Sequence, residues 1–298
     1  MKLFYSPAYV ASGVSFETLQ KPAWVAESLG RSPIDGVTLL EPEPLAIRTV
    51  QETHDPIYVS AIEAGEPGRL AESQGFRWDA SLLPAVLASN GGVMAAAKEA
   101  LQTGGTSGSL SSGLHYARRE TGCGFCTFNG LAIAAREAIH AGAQRVLILD
   151  LDAHCGGGTA SLIKGDPRIV QRDVSVNWFD RYEPQDNTHL QVVTKAADWL
   201  PAICRHLDEA GDFDLCLYNA GVDPFEDDEG GGLQGITREH LVKREALVFD
   251  WARTRNLPVA FMLAGGYLGG KSDRATLVAL HRITIRAAAV MTQERRTT

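Results

Sequence analysis

Short apolar runs alternate along the chain with longer segments in which apolar residues recur three or four positions apart. The short runs predict strands, and the segments with helical spacing predict helices. The predicted strands cover residues 2–5, 37–40, 146–149, 169–176, 215–218 and 259–263. The predicted helices cover residues 16–29, 46–50, 55–64, 82–101, 131–141, 195–209, 239–254 and 273–291. Such alternation is typical of an α/β fold whose mostly parallel sheet carries helices on both faces. We find no repeat and no linker, which predicts a single domain over residues 1–298.

Three positions rich in small residues refine this prediction. Gly30 follows the first predicted helix and is expected to be its C-cap. Asn90, Gly91 and Gly92 lie inside the helix over 82–101, where they predict an interruption and close packing against a neighbour. Residues 103–113 read TGGTSGSLSSG and have little side-chain volume, so we expect a loop there.

The segment RVLILDLDAHCGGGT, residues 145–159, joins an apolar run to a group of polar residues. The apolar part is typical of a strand buried on both faces. Asp150, Asp152 and His154 follow at spacings of two, so on an extended chain they point the same way. They would meet at the carboxyl end of the strand, where open α/β sheets build their sites. Burying two carboxylates with an imidazole is costly without a cation, which favours a metal site. A solvated turn with an incidental histidine is the alternative for this pattern alone.

A second apolar run ends in a similar way. Residues 214–219, DLCLYN, lead into the letters AGVDP, in which Asp223 supplies a further carboxylate. Asp152 and His154 from one strand end and Asp223 from another would make three protein ligands with one position left open. That arrangement is typical of a catalytic metal rather than a structural one.

Composition and charge limit the kinds of partner. The chain has 298 residues, of which 45% are hydrophobic and 21% charged, as in ordinary globular proteins. Its net charge is −8 and it has no basic run, which argues against direct binding of nucleic acid. An acidic surface weakly favours cationic substrates such as a histone tail or a polyamine.

The cysteines and the N-terminus bear on location. Five cysteines in a chain of this length are typical of a reduced cytosolic protein. Cys123 and Cys126 form a C-x-x-C pair, but no second pair completes a four-ligand zinc site. The first ten residues lack a signal-peptide core, and no apolar run reaches the about 20 residues of a membrane span. We therefore expect a cytoplasmic protein without a membrane span.

His54, in the letters THDP, is expected to be a turn or capping residue rather than a ligand.

Three further segments complete the set of motifs: Leu114-His115-Tyr116-Ala117, GCGFCTFN at 122–129 and LAGGY at 263–267. With these in place, the chain strongly resembles the histone deacetylase superfamily on its arginase-like α/β fold. The motifs DLDAH, YNAG-x-D, GGL at 231–233, VKR at 242–244 and GGY occur in the order of the class IV branch. The resemblance implies a single-domain, three-layer fold with a central, mostly parallel sheet.

The resemblance also assigns roles around a metal. Asp152, His154 and Asp223 match the zinc ligands of the family. Asp150 matches the carboxylate that hydrogen-bonds an active-site histidine, here His115, and so fixes its tautomer. The family often holds a structural potassium ion as well, which the resemblance places near the DLDAH motif.

Further roles concern the substrate. Tyr267 matches the tyrosine whose hydroxyl polarises the scissile carbonyl and stabilises the oxyanion. Gly124 and Phe125 match the narrow channel that grips the acylated side chain. Gly266 of the GGY motif is a further substrate-binding candidate. The resemblance assigns Ser175 no role towards the substrate and places it within reach of the structural potassium ion instead.

One departure from the family stands out. The family carries two histidines in tandem, and the second is commonly assigned as general base and acid, whereas here His115 is followed by Tyr116. The acid or amide that pairs with that second histidine is also absent, because Gly157 stands in its place. General acid–base assistance is worth about 10²–10⁴-fold, so a replacement is needed for efficient turnover. Either His115, oriented by Asp150, transfers the proton, or Tyr116 donates to the leaving amine. Tyr116 as an aromatic wall residue is the competing interpretation.

The leading hypothesis is a zinc-dependent amide hydrolase. It would remove an acyl group, acetyl or longer, from lysine side chains or small amines by means of a metal-activated water. A catalytically weakened or non-hydrolytic relative that binds acyl-lysine or metal is the alternative. A binuclear manganese ureohydrolase on the same fold would need several more carboxylates than this metal position offers. The expected partner is an acylated lysine peptide or an acylated small amine, with acyl length and oligomeric state left open.

Overall fold

The computed structural model describes residues 1–11, 13, 17–269 and 271–297 of the chain. Its strands are β1 (Lys2–Phe4), β2 (Thr38–Leu40), β3 (Thr106–Ser109), β4 (Val146–Asp150), β5 (Ile169–Ser175), β6 (Thr188–Val192), β7 (Leu215–Asn219) and β8 (Val259–Met262). They form one sheet in the order β2-β1-β3-β8-β7-β4-β5-β6. Every pairing is parallel, which confirms the predicted α/β sheet.

Helices connect the strands. They are α1 (Lys21–Arg31), α2 (Ile47–Gln51), α3 (Pro56–Ala64), α4 (Gly68–Ala71), α5 (Leu82–Thr103), α6 (Gly130–His140), α7 (Gly157–Ile163), α8 (Ala196–Asp208), α9 (Arg238–Thr254) and α10 (Arg274–Thr297). Short 3-10 helices cover Pro7–Tyr9 and Glu17–Gln20. Residue 16, where the first helix was predicted to begin, lies outside the described residues. The predicted C-cap Gly30 lies inside α1, so that prediction is wrong by two residues and Ser32 is the cap.

Alternate residues of the central strands face two separate apolar layers, as the two-residue period of a strand requires. In β4, Val146 and Ile148 pack on the face covered by α5, α6 and α7. Leu147 and Leu149 pack on the opposite face, among residues of α8, α9 and α10. The sheet is therefore the middle of three layers, and both of its faces are buried.

Strand β3 lies within the loop predicted over residues 103–113, so that prediction is wrong for residues 106–109, whereas residues 110–113 form neither helix nor strand. All four residues of β3 are buried, and the strand pairs with β1 and β8. The sequence TSGS has low strand propensity. Close packing explains these small residues, because a Cβ on Gly108 would lie 2.3 Å from the ring of Phe261. On the other side, the hydroxyl of Ser107 donates to the carbonyl of Ala96 in α5 (2.6 Å).

Helix α5 is continuous, so the predicted interruption near Asn90 is wrong. The expectation of close packing there is confirmed. A Cβ on Gly91 would lie 2.1 Å from the carbonyl oxygen of Glu43, and one on Gly92 would lie 1.7 Å from the hydroxyl of Tyr9. These glycines let other parts of the chain approach the helix without breaking its hydrogen bonds.

Strand β6 was not predicted from the sequence. It forms an edge of the sheet and pairs only with β5 among the described strands. Its letters THLQV are largely polar, and four of its five residues are only half-buried. An edge strand with a solvated face lacks the continuous apolar run that marks the central strands.

His54 is buried and joins two loops, in agreement with its expected role in a turn. Its Nδ1–H donates to the carbonyl of Arg118 (2.8 Å), and its Nε2 accepts the backbone N–H of Asn129 (2.9 Å). Burial lowers the pKa of His54 to about 4, so the ring stays neutral at physiological pH. Asn129 in turn caps α6 by accepting the N–H of Ala132 (3.0 Å).

Helix α10 contains the window Arg274–Gln293, which is apolar and long enough by composition to cross a membrane. Of this window, 56% is buried inside the protein. Leu277, Ile285 and Ala288 belong to the apolar layer beneath the sheet. A core helix meets the same criteria of length and composition, and we interpret α10 as one.

The packing of Gly108 against Phe261 predicts the effect of adding a methyl group. We expect Gly108→Ala to lower the free energy of unfolding by about 1–3 kcal/mol, because overpacking a core costs that much. Gly30→Ala is the matched control, since a Cβ at Gly30 meets no atom within 4 Å. Inside α1 this control should raise stability by up to about 1 kcal/mol. Urea unfolding measures both, and equal stability of the two variants would contradict the packing account.

Candidate active site

The carboxyl ends of three adjacent strands bring the polar residues together. In the sheet order, β8, β7 and β4 are consecutive neighbours. Asp152 and His154 follow β4, Asp223 follows β7 and Tyr267 follows β8. Because parallel strands end at the same edge of the sheet, segments that are far apart in sequence converge there.

Asp152, His154 and Asp223 form a buried cluster at this edge. Their potential ligand atoms all lie within 4.8 Å of one another. Nδ1 of His154 is 3.1 Å from Oδ1 of Asp152 and 3.2 Å from Oδ2 of Asp223. The other ring nitrogen, Nε2, lies 2.9 Å from the carbonyl oxygen of Gly230 and donates to it. In the neutral ring, Nδ1 therefore carries the lone pair that a metal ion would use.

The polar atoms of this cluster fit a cation between them. A neutral His154 would point a lone pair at two carboxylates, and Oδ2 of Asp223 is buried and accepts no hydrogen bond from the described residues. Without a cation, a proton must occupy that place. Burial opposes the charge on His154, but Asp152 and Asp223 outweigh burial and raise its pKa to about 11. Burial and the nearby Asp152 raise the pKa of Asp223. One imidazole and two carboxylates are a donor set that suits zinc.

His115 lies beside this cluster and is oriented by Asp150. Its Nδ1–H donates to Oδ2 of Asp150 (2.7 Å), and its Nε2 lies 3.7 Å from Oδ1 of Asp152. Asn219 donates from Nδ2 to the second oxygen of Asp150 (2.8 Å). Burial opposes protonation of His115, but Asp150 and Asp152 outweigh it and raise the pKa to about 9. The carboxylate thus fixes the tautomer and leaves Nε2 facing the cluster.

A further buried carboxylate, Asp173, lies behind Asp150. One of its oxygens accepts the N–H of Gly156 (2.7 Å), and the other accepts the hydroxyl of Ser175 (2.5 Å). Burial and the nearby Asp150 raise the pKa of Asp173 well above its usual value. The resemblance placed Ser175 near a potassium ion, and the structure shows its hydroxyl hydrogen-bonded to Asp173. The potassium ion itself stays a prediction.

A cavity of about 110 Å³ lies beside the cluster. The sequence-predicted residues that line it are His115, Tyr116, Gly124, Phe125, Asp152 and Tyr267. Gly265 lines it too, whereas Gly266 is buried behind it, where a Cβ would lie 2.3 Å from Leu277. Of the two glycines, the backbone of Gly265 is thus the one exposed to a bound molecule.

Tyr116 forms one wall of this cavity. Its ring stacks on His115 with centroids 4.1 Å apart and meets Phe179 edge-on at 5.1 Å. A Cβ on Gly124 would lie 2.4 Å from the Tyr116 ring, so glycine is required there. Phe125, which lines the cavity, is 39% exposed, and Phe179 is 47% exposed. Sequence reasoning missed Phe179 because no motif marks the segment after β5.

Lys21 is a second functional candidate that the sequence did not reveal. It begins α1, lines the cavity, and is only 3% exposed. Its Nζ donates to the carbonyl of Gly265 (2.6 Å). Burial lowers the pKa of Lys21 to about 8, although Asp223 and Asp152 act in the opposite direction. A helical residue followed by proline carries no sequence signal of such a position.

An ion pair occupies the space beside Gly157. A Cβ on Gly157 would lie 2.3 Å from the carbonyl oxygen of Asp180 and 2.9 Å from its carboxyl carbon. The carboxylate of Asp180 accepts the N–H of Gly158 (2.9 Å) and pairs with Arg118. Nη1 of Arg118 also donates to the carbonyl of Tyr116 (3.1 Å). An acid from another loop, Asp180, therefore fills the place next to the glycine, and its partner Arg118 holds the backbone of Tyr116.

The loop after β7 supports Tyr267. Asp228 accepts the backbone N–H of Tyr267 (2.7 Å) at one oxygen and the N–H of Gly230 (2.8 Å) at the other. Burial and the nearby Asp223 raise the pKa of Asp228 to about 7. A Cβ on Gly230 would lie 2.3 Å from the Tyr267 ring, so the ring packs directly on this glycine. The Tyr267 and His154 rings are perpendicular, with centroids 6.5 Å apart.

Arg244 braces the strand ends from beneath. It is fully buried, pairs with Glu245, and donates to the carbonyls of Gly221 and Leu151. Gly221 lies between β7 and Asp223, and Leu151 lies between Asp150 and Asp152. The guanidinium thus holds the two loops that carry the cluster at a fixed distance.

This arrangement can perform acid–base and electrostatic chemistry on a small group in the cavity. It offers three ligands for a cation, an imidazole with a fixed tautomer, and a phenol at Tyr267. Burial raises the pKa of Tyr267 far above its usual value, so the phenol stays protonated and can donate. Aromatic walls at Tyr116 and Phe125 would exclude water from a bound chain.

Comparison with known proteins places this chain among deacetylase relatives. A family model described as the histone deacetylase domain matches residues 16–283. An uncharacterized protein of Picosynechococcus sp. is 34% identical over 244 residues, which are 79% of this chain and 79% of that protein. Histone deacetylase 2 of Arabidopsis thaliana is 31% identical over 189 residues, 60% of this chain and 48% of that protein. Acetylpolyamine amidohydrolase 2 of Pseudomonas aeruginosa is 28% identical over 177 residues, 51% of this chain and 48% of that protein. The match thus spans about half the length of the latter two.

Solved structures support the fold. The acetylpolyamine aminohydrolase from Burkholderia pseudomallei superposes with a TM-score of 0.78 at 16% identity, over 98% of this chain and 99% of that chain. The HD domain of HDA15 gives a TM-score of 0.77 at 17% identity, over 98% of this chain and 90% of that chain. These likenesses confirm the predicted arginase/deacetylase-like α/β fold.

The bracing role of Arg244 predicts a large loss of stability on its removal. We expect Arg244→Gln to lower the free energy of unfolding by about 3–5 kcal/mol, because the buried Glu245 loses the positive charge that pairs with it. The control is Arg168→Gln, which breaks an exposed pair with Asp166 and should cost at most about 1 kcal/mol. Urea unfolding compares them, and costs within 1 kcal/mol of each other would refute the bracing role.

Proposed function

The chain belongs to the histone deacetylase domain family, and on that premise we propose that it is a zinc-dependent amide hydrolase. Its reaction is the removal of an acyl group from a lysine side chain or a small amine. It acts as one catalytic domain over residues 1–298, with motifs in the order of the class IV branch. The observation that carries this proposal is the buried cluster of Asp152, His154 and Asp223 beside a cavity lined by Tyr267 and His115.

Asp152, His154 and Asp223 would hold the zinc ion through Nδ1 and one oxygen of each carboxylate. When bound, zinc supplies Lewis acidity, which polarises the amide carbonyl and lowers the pKa of a water molecule. The unpartnered Oδ2 of Asp223 and the orientation of His154 by Gly230 support this assignment.

Two residues act on the reacting amide. Tyr267 donates its phenolic hydrogen to the carbonyl oxygen and stabilises the negative charge that develops there. Nε2 of His115 takes the proton of the attacking water and delivers it to the leaving nitrogen. Asp150 holds His115 in the tautomer that this transfer needs. Asp150 and Asp152 raise the pKa of His115 to about 9, and a cation held by Asp152 would offset the part of that rise that Asp152 causes.

We assign Tyr116 to the wall of the channel rather than to proton transfer. Its ring is packed between His115 and Phe179, and its backbone is held by Arg118. Burial raises the pKa of Tyr116 far above its usual value, so it cannot serve as a base. Gly124 and Phe125 would complete the grip on the acylated side chain.

Acyl chains longer than acetyl are part of the proposal. An apolar side cavity of about 50 Å³ shares Leu19, Leu114 and Phe125 with the catalytic cavity. The partner is an acylated lysine peptide or an acylated small amine, and any unacylated amino groups that it carries would be cationic and suit a chain of net charge −8. The place of action is the cytoplasm, which the five free cysteines favour.

The second candidate is a non-hydrolytic relative that binds acyl-lysine or metal. The absence of the second histidine at Tyr116 and of its acidic partner at Gly157 favours it. Restoring both by substitution is obstructed, because a side chain at Gly157 collides with the backbone of Asp180. Single substitutions at Tyr116 and Tyr267 are therefore the better test.

Metal binding can be tested without any substrate. We expect the protein to bind one zinc ion per chain, measured by elemental analysis after dialysis, and Asp223→Asn to lose it. Glu137→Gln is the control, because Glu52, Glu137 and His140 form a second potential ligand group on the surface. Retention of zinc by Asp223→Asn together with loss in Glu137→Gln would reject the buried cluster as the site.

Hydrolysis is tested with acyl-lysine peptides graded from acetyl to myristoyl and with acetylated polyamines. We expect the zinc-loaded protein to release carboxylate from at least one of them. Tyr267→Phe should lower kcat by about 10²–10³-fold, the loss typical for removal of an oxyanion donor. Tyr116→Phe should keep kcat within about ten-fold, because a wall residue keeps its aromatic ring in this variant. Loss of a general acid would instead lower kcat by at least about 10²-fold.

Two outcomes decide between the candidates. If the zinc-loaded protein binds acyl-lysine peptides but cleaves none of the series, the hydrolase hypothesis is rejected and the non-hydrolytic relative is supported. If Tyr116→Phe loses as much activity as Tyr267→Phe, Tyr116 is a proton donor and not a wall residue.

A further inference from the structure

A groove of about 780 Å³ lies between α1, the start of α9 and α10. Five arginines line it: Arg31, Arg238, Arg274, Arg282 and Arg286. Among the residues that the structure describes, two carboxylates line it with them, Glu27 and Asp273. A local excess of positive charge is unexpected in a chain whose net charge is −8. None of its lining residues also lines the catalytic cavity.

The two carboxylates of the groove are already engaged. Glu27 pairs with both Arg31 and Arg274. Asp273 accepts the backbone N–H of Thr276 (2.7 Å) at the start of α10. Glu27 is therefore shared by two arginines, and Asp273 keeps its charge but forms no ion pair with a described residue.

Arg238, Arg282 and Arg286 have no carboxylate within 4.0 Å in the part of the chain that the structure describes. Arg282 is only 6% exposed and donates to neutral oxygens, the hydroxyl of Ser28 (2.9 Å) and the carbonyl of Ser32 (2.6 Å). Burial and the nearby Arg286 lower the pKa of Arg282. A buried guanidinium without a counter-charge is costly, and an anion in the groove would offset that cost.

The groove adjoins an apolar trough. Arg238 and Arg286 also line a second cavity of about 460 Å³ between α9 and α10. Apolar side chains make up most of its lining, among them Val242, Phe249, Ile283, Val290 and Met291. One carboxylate, Asp250, lines it as well and pairs with Arg253. Val242 is 49% exposed and Val290 54% exposed, so hydrocarbon surface faces solvent beside the arginines.

We propose that this surface binds an amphipathic organic phosphate. The phosphate lies between Arg238, Arg282 and Arg286, whose guanidinium groups match its oxygens in pairs. The hydrocarbon part lies in the trough over Val242 and Val290. An inorganic anion would satisfy the arginines alone and leave the trough exposed, so the continuity of the two cavities favours an organic ligand.

Titration calorimetry with hexyl phosphate, in buffer containing salt at physiological strength, tests this site on the intact chain. We expect one molecule bound per chain, at least about ten-fold more tightly than inorganic phosphate, because apolar surface is buried. The double variant Arg238→Gln/Arg286→Gln should weaken binding at least about ten-fold, since two charge-assisted contacts are lost. Both arginines are exposed, which keeps the fold intact.

Controls separate the two parts of the surface. Arg48→Gln removes one exposed positive charge on α2 and should leave binding unchanged. Val242→Ser should weaken binding of hexyl phosphate and leave that of inorganic phosphate unchanged. Equal affinity for hexyl phosphate and inorganic phosphate would overturn the amphipathic ligand. Binding that the double arginine variant does not weaken, or no saturable binding at all, would overturn the site.

Discussion

The buried negative charge at the carboxyl edge of the sheet is the constraint on which the rest of the site depends. Asp150, Asp152, Asp173 and Asp223 are each at most 3% exposed. Carboxylates this close repel strongly in a medium of low polarisability, so each needs its own compensation. Asp150 accepts two hydrogen bonds from side chains, Asp173 is held towards its protonated form, and Asp152 and Asp223 share His154. The loops between the strands and the site keep these compensating groups in place.

Much of the fold was predictable because central parallel strands are buried on both faces and read as apolar runs. The strands that escaped prediction obey other constraints. Residues 106–109 are small because Phe261 and α5 pack on either side, so volume rather than hydrophobicity governs that strand. Strand β6 is an edge strand whose residues are half-exposed. Likewise, Gly91 and Gly92 lie in a continuous helix and mark places where other parts of the chain contact it closely. A small residue in a helical segment can indicate such a contact as well as a break in the helix.

The candidate site was predictable where it follows strand ends and hidden where it depends on tertiary contacts. Residues after β4, β7 and β8 converge because parallel strands share an edge, which sequence order alone implies. Lys21, Phe179 and Asp180 come from segments without motifs, and only packing brings them to the cavity. Gly157 shows the difference most directly. The family pattern has an acid or amide at the position of Gly157, and this chain has none there. In the folded chain, however, the carboxylate of Asp180 lies against Gly157 and accepts the backbone N–H of Gly158.

The charge balance also makes occupancy of the cluster a competition between a cation and protons. Without a cation, carboxylates outweigh burial and raise the pKa of His115 to about 9 and that of His154 to about 11. A cation at Nδ1 of His154 must displace the proton held there, so binding weakens as the pH falls. A cation held there would also neutralise Asp152, which is one of the groups that raise the pKa of His115. It would thereby favour the neutral form of His115, which can accept a proton. Lys21 is subject to the same carboxylates, because Asp223 and Asp152 oppose the burial that lowers its pKa to about 8.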